Sequence, residues 1–256
     1  MPAHEQISNA IRTARSQGRP ALVPYITAGF PTRAVFREQL TAIAKVADAI
    51  EIGVPFTDPM ADGTTIQRSS RVALEQGVNL PWILSELREL KGRIKTPLLL
   101  MSYLNPLLAY GLERLPQAAA AAGVSGFIIP DLPLEESADM HAALEREELA
   151  LVQFVTPVTP MERVEKLSRA SRGFLYAVTM TGITGQNVAL PDEVIAYFKR
   201  VREVSPVPVC AGFGIRGPEQ VERLTPHVDG VIVGAALVEV IERGEDPAVF
   251  LKSLRR

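Results

Sequence analysis

The sequence predicts an α/β chain folded as a (β/α)8 barrel, and three observations carry that prediction. Short apolar runs alternate with amphipathic helical segments from end to end. Eight such βα units fit within 256 residues, the ordinary length of one barrel. Several of the apolar runs are unbroken, as expected for parallel strands covered by helices. A doubly wound open sheet is the alternative. It normally shows a glycine-rich turn after its first strand, and Thr27-Ala28-Gly29-Phe30-Pro31 is not a GxGxxG turn. The expected organisation is a single domain over 1–256, with an extra N-terminal helix and a short phosphate-binding helix after strand eight.

Taken in order, residues 4–18 place Ile7, Ala10, Ile11 and Ala14 on one helical face, and Gly18 ends the segment. Ala21 to Gly29 is the first strand, with Tyr25 and Thr27 on one side; Pro24 lacks a donor and sits awkwardly in a central strand. Residues 32–47 form an amphipathic helix, and the strand carrying Glu51 follows. Helices are expected over 64–76 and 81–92, a strand over Pro97–Tyr103, and an Ala-rich helix over Leu112–Ala122 stopped by Gly123. Gly126–Asp131 is a short strand running into a loop, followed by a helix over 135–148, a strand over Leu151–Thr156 and a helix over 160–171. Phe174–Thr179 is a strand, and a long loop over 180–190 leads to the helix at 191–204. The strand at Val207–Ala211, the helix at 217–225 and the strand at Gly230–Val233 complete the units, with helices over Ala235–Arg243 and 247–255 closing the chain.

Composition narrows the function. A net charge of −2 with no basic run argues against nucleic-acid or acidic-membrane binding. The N-terminus lacks a signal-peptide pattern and no apolar run approaches a membrane span, so a cytoplasmic protein is expected. Cys210 is the only cysteine, which leaves no intrachain disulfide or Cys-based zinc site; within Val207–Ala211 it reads as a buried small hydrophobe. His4, His141 and His227 are scattered, so no metal site is expected, and neither a GxSxG elbow nor a P-loop lysine motif is present.

The stretch Ile50–Gly63 holds the chemistry. Alternation turns Glu51 away from Ile50 and Ile52, between Ala49 and Gly53, so that small neighbours leave room beside its carboxylate. The same pattern also suits a solvated edge residue or half of an ion pair. Asp62 follows in a segment punctuated by Pro and Gly, which is a loop. In a barrel both acids reach the C-terminal face where catalytic sites are built, and burial would raise the pKa of Glu51. Three glycine clusters end the last three strands: Thr181–Gly185, Gly212–Ile215 and Gly234–Ala236. None contains Lys or Arg, so a phosphate there would be held by backbone N–H groups and a helix N-terminus. The 180–190 loop suits a lid. Tyr25, Phe154, Tyr176 and Phe213 occupy inward positions suited to a flat apolar ligand or to simple core packing.

Nearly the whole chain resembles the tryptophan synthase alpha subunit family. The signature is Glu51-Ile52-Gly53-Val54-Pro55-Phe56-Thr57-Asp58-Pro59 running into Ala61-Asp62-Gly63. It is joined by Val23–Gly29, Met101–Pro106, Pro130–Pro133, Gly182–Gly185 and Gly212–Ile215. The resemblance implies retro-aldol cleavage of indole-3-glycerol phosphate to indole and glyceraldehyde 3-phosphate without a cofactor. It implies that Glu51 protonates the ring carbon and helps deprotonate the glycerol hydroxyl, that Asp62 stabilises the indole nitrogen, and that Tyr176 orients the site. Tyr25, Tyr103, Phe213 and Ile232 would line the indole pocket. Gly185, Gly214, Gly234 and Ala235 would hold phosphate, and Thr184 would meet Asp62 in the closed lid. Asp58, Asn105 and Pro133 would face a beta subunit that receives indole in an alpha2-beta2 complex and carries pyridoxal phosphate. Ala235 stands where some members have Ser, Met180 where some have Arg, and Thr64 where Pro is common. The resemblance leaves open a free-standing lyase or chiefly an allosteric activator of the beta chain, and a phosphate-binding barrel isomerase remains as a further alternative.

Overall fold

Apolar runs punctuated by Pro and Gly become strands here, and the 3.6-residue patterns become the helices that cover them. The computed structural model describes residues 1–178, 191–212 and 214–255. Its strands are β1 (Ala21–Thr27), β2 (Ile50–Gly53), β3 (Leu98–Met101), β4 (Val124–Ile128), β5 (Ala150–Val155), β6 (Leu175–Val178), β7 (Val209–Gly212) and β8 (Gly230–Val233). Neighbours pair in parallel in sequence order, and β8 returns to β1 to close the barrel. The helices are α1 (Ala3–Ser16), α2 (Phe36–Ala44), α3 (Thr64–Glu75), α4 (Leu80–Leu90), α5 (Leu104–Tyr110), α6 (Leu115–Ala121), α7 (Ala138–Glu145), α8 (Met161–Ala170), α9 (Asp192–Val204), α10 (Pro218–Leu224), α11 (Ala235–Glu242) and α12 (Pro247–Ser253).

Strand alternation sorts the core into two apolar clusters. Outward residues such as Leu22, Ile26, Ile50, Ile52 and Leu100 pack beneath the helices. Inward residues, among them Val23, Leu99, Ile128, Val152, Phe174, Cys210 and Ile232, fill the barrel together with Ile7, Ile11 and Ala14 of α1. The N-terminal helix thus plugs the foot of the barrel, and Cys210 is buried as its apolar surroundings require. Burying each large side chain this way contributes about 1.5–3 kcal/mol. The foot is rigid, and the mouth above it is left free for loops.

Two local expectations change. Pro24 is accommodated because the β1 ladder to β8 finishes there and the ladder to β2 begins at Tyr25. At that handover a missing donor is least disruptive. β3 ends at Met101 rather than Tyr103, and a further helix, α5, occupies Leu104–Tyr110. Pro106 falls in its first turn, where N–H groups have no intrahelical acceptor anyway. Gly111, at φ 103°, ends it, so the following helix starts only at Leu115.

Candidate active site

Glu51 sits in the middle of β2, held in register between Tyr25 of β1 and Leu99 of β3. It is fully buried, and neither carboxylate oxygen has a hydrogen-bond partner. Burial pushes its pKa well above the usual carboxyl value because a charge without partner or solvent is disfavoured. The group therefore keeps a proton to higher pH, the state a general acid needs. The space that Gly53 opens is not left empty. A β-carbon there would fall 2.0 Å from the Tyr25 hydroxyl oxygen, so Gly53 exists to admit that phenol. Gly212 does the same for Tyr176, whose ring would lie 2.6 Å from a β-carbon at 212. Tyr25 is the register neighbour of Glu51 on β1, and Tyr176 stands on β6.

Asp62 approaches from the loop after β2. Its pKa is raised to about 6 by burial, opposed by a hydrogen bond from the Tyr103 phenol. The Tyr103 oxygen also accepts the Ala61 N–H at 2.8 Å, and its ring stacks on Phe56 with centroids 5.3 Å apart. Tyr103 therefore does more than line a pocket: it holds the Asp62 loop at both ends. The Gln67 side chain adds a bond to the Asp62 carbonyl at 2.8 Å. Burial raises the pKa of both Tyr25 and Tyr176, and the charges of Glu51 and Asp62 raise both further. The two acids thus act on the same pair of phenols across one mouth.

The glycine-lined side lies next to them. Gly234 caps α11, with Tyr25 Cβ at 3.8 Å from the position its own β-carbon would take. One tyrosine therefore runs from the Gly234 turn to the space over Gly53. Gly234 and Ala235 present the free N–H groups of a helix start, and Gly214 adopts φ +62° with open space around it. Ile232 is buried in the barrel wall below, and Phe154 stacks on Tyr176 at 4.8 Å. Thr184, Gly185, Phe213 and the expected lid over 180–190 lie outside the described residues.

Asp58 and Pro133 are exposed on the loops after β2 and β4, and Asn105 is exposed in the first turn of α5, the helix that follows β3. Asp131 joins the loop after β4 to the start of α5 by accepting the Leu104 N–H at 2.9 Å. Met60, two residues past Asp58, and Leu108, three residues past Asn105 on α5, are exposed large apolar side chains. Among the described residues no group of His, Cys, Asp and Glu is arranged to hold a metal ion. Sequence reasoning missed the side chains behind the cradle. Arg216 follows Gly212–Ile215 directly, and both of its terminal nitrogens bond to Glu239 of α11. The i+4 spacing of Glu239 from Ala235 was the available signal.

Comparison with known proteins identifies the family. The family model of the tryptophan synthase alpha chain matches residues 11–254. The tryptophan synthase alpha chain of Nitratidesulfovibrio vulgaris strain Hildenborough is 45% identical over 249 residues, 97% of each chain. That of Chloroflexus aurantiacus is 43% identical, covering 93% of this chain and 90% of the relative. Among solved structures, Mycobacterium tuberculosis tryptophan synthase superposes with a TM-score of 0.89 at 33% identity, covering 97% of this chain and 96% of its own. The alpha subunit from Legionella pneumophila gives 0.88 at 33% identity, covering 100% and 97%. A buried acid on β2, a second acid in the loop that follows it and a glycine-capped helix start after β8 thus stand in a chain that belongs to the tryptophan synthase alpha chain family.

Proposed function

We propose that the mouth of this barrel cleaves indole-3-glycerol phosphate through Glu51 and Asp62, the carbon–carbon lyase reaction of its family. An indole leaves as a poor carbanion unless its ring carbon is protonated first. Glu51, uncharged because it is buried, gives that proton. The ring nitrogen becomes cationic, and ionised Asp62 stabilises it. The glycerol hydroxyl then loses its proton to Glu51, the carbonyl forms, and the bond to the ring carbon breaks with its electrons returning to the ring. Indole and glyceraldehyde 3-phosphate result, and Glu51 is protonated again. Tyr176 orients the site; Tyr25, Tyr103, Ile232 and Phe213 contact the indole. Gly214, Gly234, Ala235 and Gly185 hold the phosphate, and Thr184 meets Asp62 when the lid closes.

The reaction asks for no cofactor of this chain's own. The partner is a beta subunit, docked over Asp58, Asn105 and Pro133 in an alpha2-beta2 complex; it receives indole and holds pyridoxal phosphate. Exposed Met60 and Leu108, near Asp58 and Asn105 in the chain, support the docking. We read residues 1–256 as one domain working in the cytoplasm; among the described residues no helix is long and apolar enough to cross a membrane.

The observation that carries the proposal is the unpartnered, fully buried Glu51 carboxyl. Its test is Glu51→Gln, which keeps size and removes the proton carrier. Indole release should fall by about 10²–10⁴ in kcat with substrate affinity kept; turnover like wild type would refute the role. Running the assay with and without beta subunit separates an enzyme from a pure activator, since an activator produces negligible indole in either case.

A further inference from the structure

The glycine cradle and the Asp62 loop must hold the two ends of one substrate in register, and a single carboxylate lies where their supports meet. Glu239 stands one turn into α11, four residues past Ala235. Its Oε1 accepts the Thr65 hydroxyl at 3.2 Å. Arg216 donates to Oε2 at 2.7 Å and to Oε1 at 3.0 Å. A second rung lies three residues on, where Glu242 accepts from Arg68 Nε at 2.8 Å and from its Nη2 at 2.6 Å. Thr65 belongs to the first turn of α3, immediately after Asp62 and Gly63, and Gln67 of that turn bonds the Asp62 carbonyl. Arg216 lies two residues past Gly214, with its own N–H fixed by the Gln220 side chain at 2.7 Å. Glu239 thus touches the elements that carry Asp62 and Gly214 while standing on the helix capped by Gly234.

Stability does not explain this arrangement. The Arg216 and Glu239 side chains are 41% and 25% exposed, and pairs this wet add little to a fold. Their value is geometric, since a displacement of about 1 Å at a reacting group can cost up to 10²-fold in rate.

We propose that Glu239 is a positioning residue that registers the Asp62 loop against the phosphate cradle, so that the ring nitrogen meets Asp62 once the phosphate is seated. The inference rests on the proposed function, in which the α11 N-terminus holds phosphate. Asp62 is faced by Tyr103 from the loop after β3, by Tyr25 of β1 and by Tyr176 of β6. A loosened loop lets water reach it and relieves the burial that raises its pKa.

The test is cleavage by the 256-residue chain, alone and with beta subunit, in Glu239→Ala, Glu239→Gln and Thr65→Val. Inorganic phosphate serves as competitor in each. We expect Glu239→Ala to lose about tenfold in kcat, with the phosphate inhibition constant within twofold of wild type. The acid limb of kcat/KM should shift below 6, and the Tm should change by no more than about 2 °C. Glu239→Gln, which keeps an acceptor, should fall between. Thr65→Val removes one hydroxyl only, and combined with Glu239→Ala it should add nothing further. A kcat within twofold of wild type and an unmoved acid limb would overturn the clamp. So would a phosphate affinity that falls in step with kcat, which would place Glu239 in the cradle alone. Wild-type protein that phosphate fails to inhibit would instead overturn the cradle reading beneath it.

Discussion

The foot and the mouth of this barrel are built to opposite rules. At the foot, Ile7, Ile11 and Ala14 seal the strands with no exposed surface. The polar groups there are matched: Ser8 donates to the Gly173 carbonyl at 2.6 Å, and Ser171 accepts the Gln153 N–H at 2.9 Å. At the mouth, Glu51 is equally buried, yet both its oxygens are unpartnered. Strain of that kind costs free energy and persists because the closed strands around it allow no relaxation. The foot contributes the stability against which the mouth keeps a reactive acid.

The sharpest way to break this contrast is to mutate one residue in each region. Glu51→Gln should lose the most activity, as above, while remaining folded. Ile11→Ala should do the reverse, costing about 2–5 kcal/mol of stability through the cavity it leaves. Its kcat per folded molecule should stay within twofold, read by thermal melts and active-site-normalised turnover. A large activity loss in folded Ile11→Ala would mean the two regions are not separable.

The mouth was legible in part. The Pro- and Gly-rich loop after a short strand announced Asp62, and alternation put Glu51 on the face opposite Ile50 and Ile52 while leaving a solvated edge position open. Gly53 misled, because sequence shows that a β-carbon is missing but not which distant side chain fills the gap; only the register of β1 against β2 brings Tyr25 there. Helix α5 was not expected between the Pro97–Tyr103 strand and the helix at Leu112: at seven residues, with Pro106 in its first turn, it carries little periodic signal. The grip of Tyr103 on Asp62 and of Glu239 on Thr65 joins residues 41 and 174 positions apart, beyond any local pattern. Of the foot, the helix itself was legible, because amphipathic spacing in residues 4–18 is a local signal; that its Ile7, Ile11 and Ala14 pack into the barrel is a tertiary contact that spacing does not show.

Smaller effects sharpen the account of Asp62. Tyr103→Phe removes the phenol that favours the charged carboxylate and frees the Ala61 N–H. Its kcat should fall about tenfold, within the range that misplaced groups cost, and its acid limb should move up. In wild type that limb of kcat/KM should lie at about 6, activity rising as Asp62 ionises. In Asp62→Asn the limb should vanish along with most of the rate. A limb unchanged in either variant would assign the titration elsewhere.

The smallest expected effect concerns stability. The folded chain binds the Glu51 proton more tightly than the unfolded chain does. Stability from this group is therefore fully present below the ordinary carboxyl value of 4.5 and declines as pH rises through the higher folded value. Gln carries no such penalty. Glu51→Gln should melt above wild type at pH 8 by more than at pH 4.5, each kcal/mol appearing as about 2–4 °C.

The state of that one carboxyl is measurable directly. An infrared difference titration of wild type against Glu51→Gln isolates its protonated carbonyl band. The band should persist well above the ordinary carboxyl value of 4.5 and disappear only at higher pH; a Glu51 that ionises at or below that ordinary value would contradict the account.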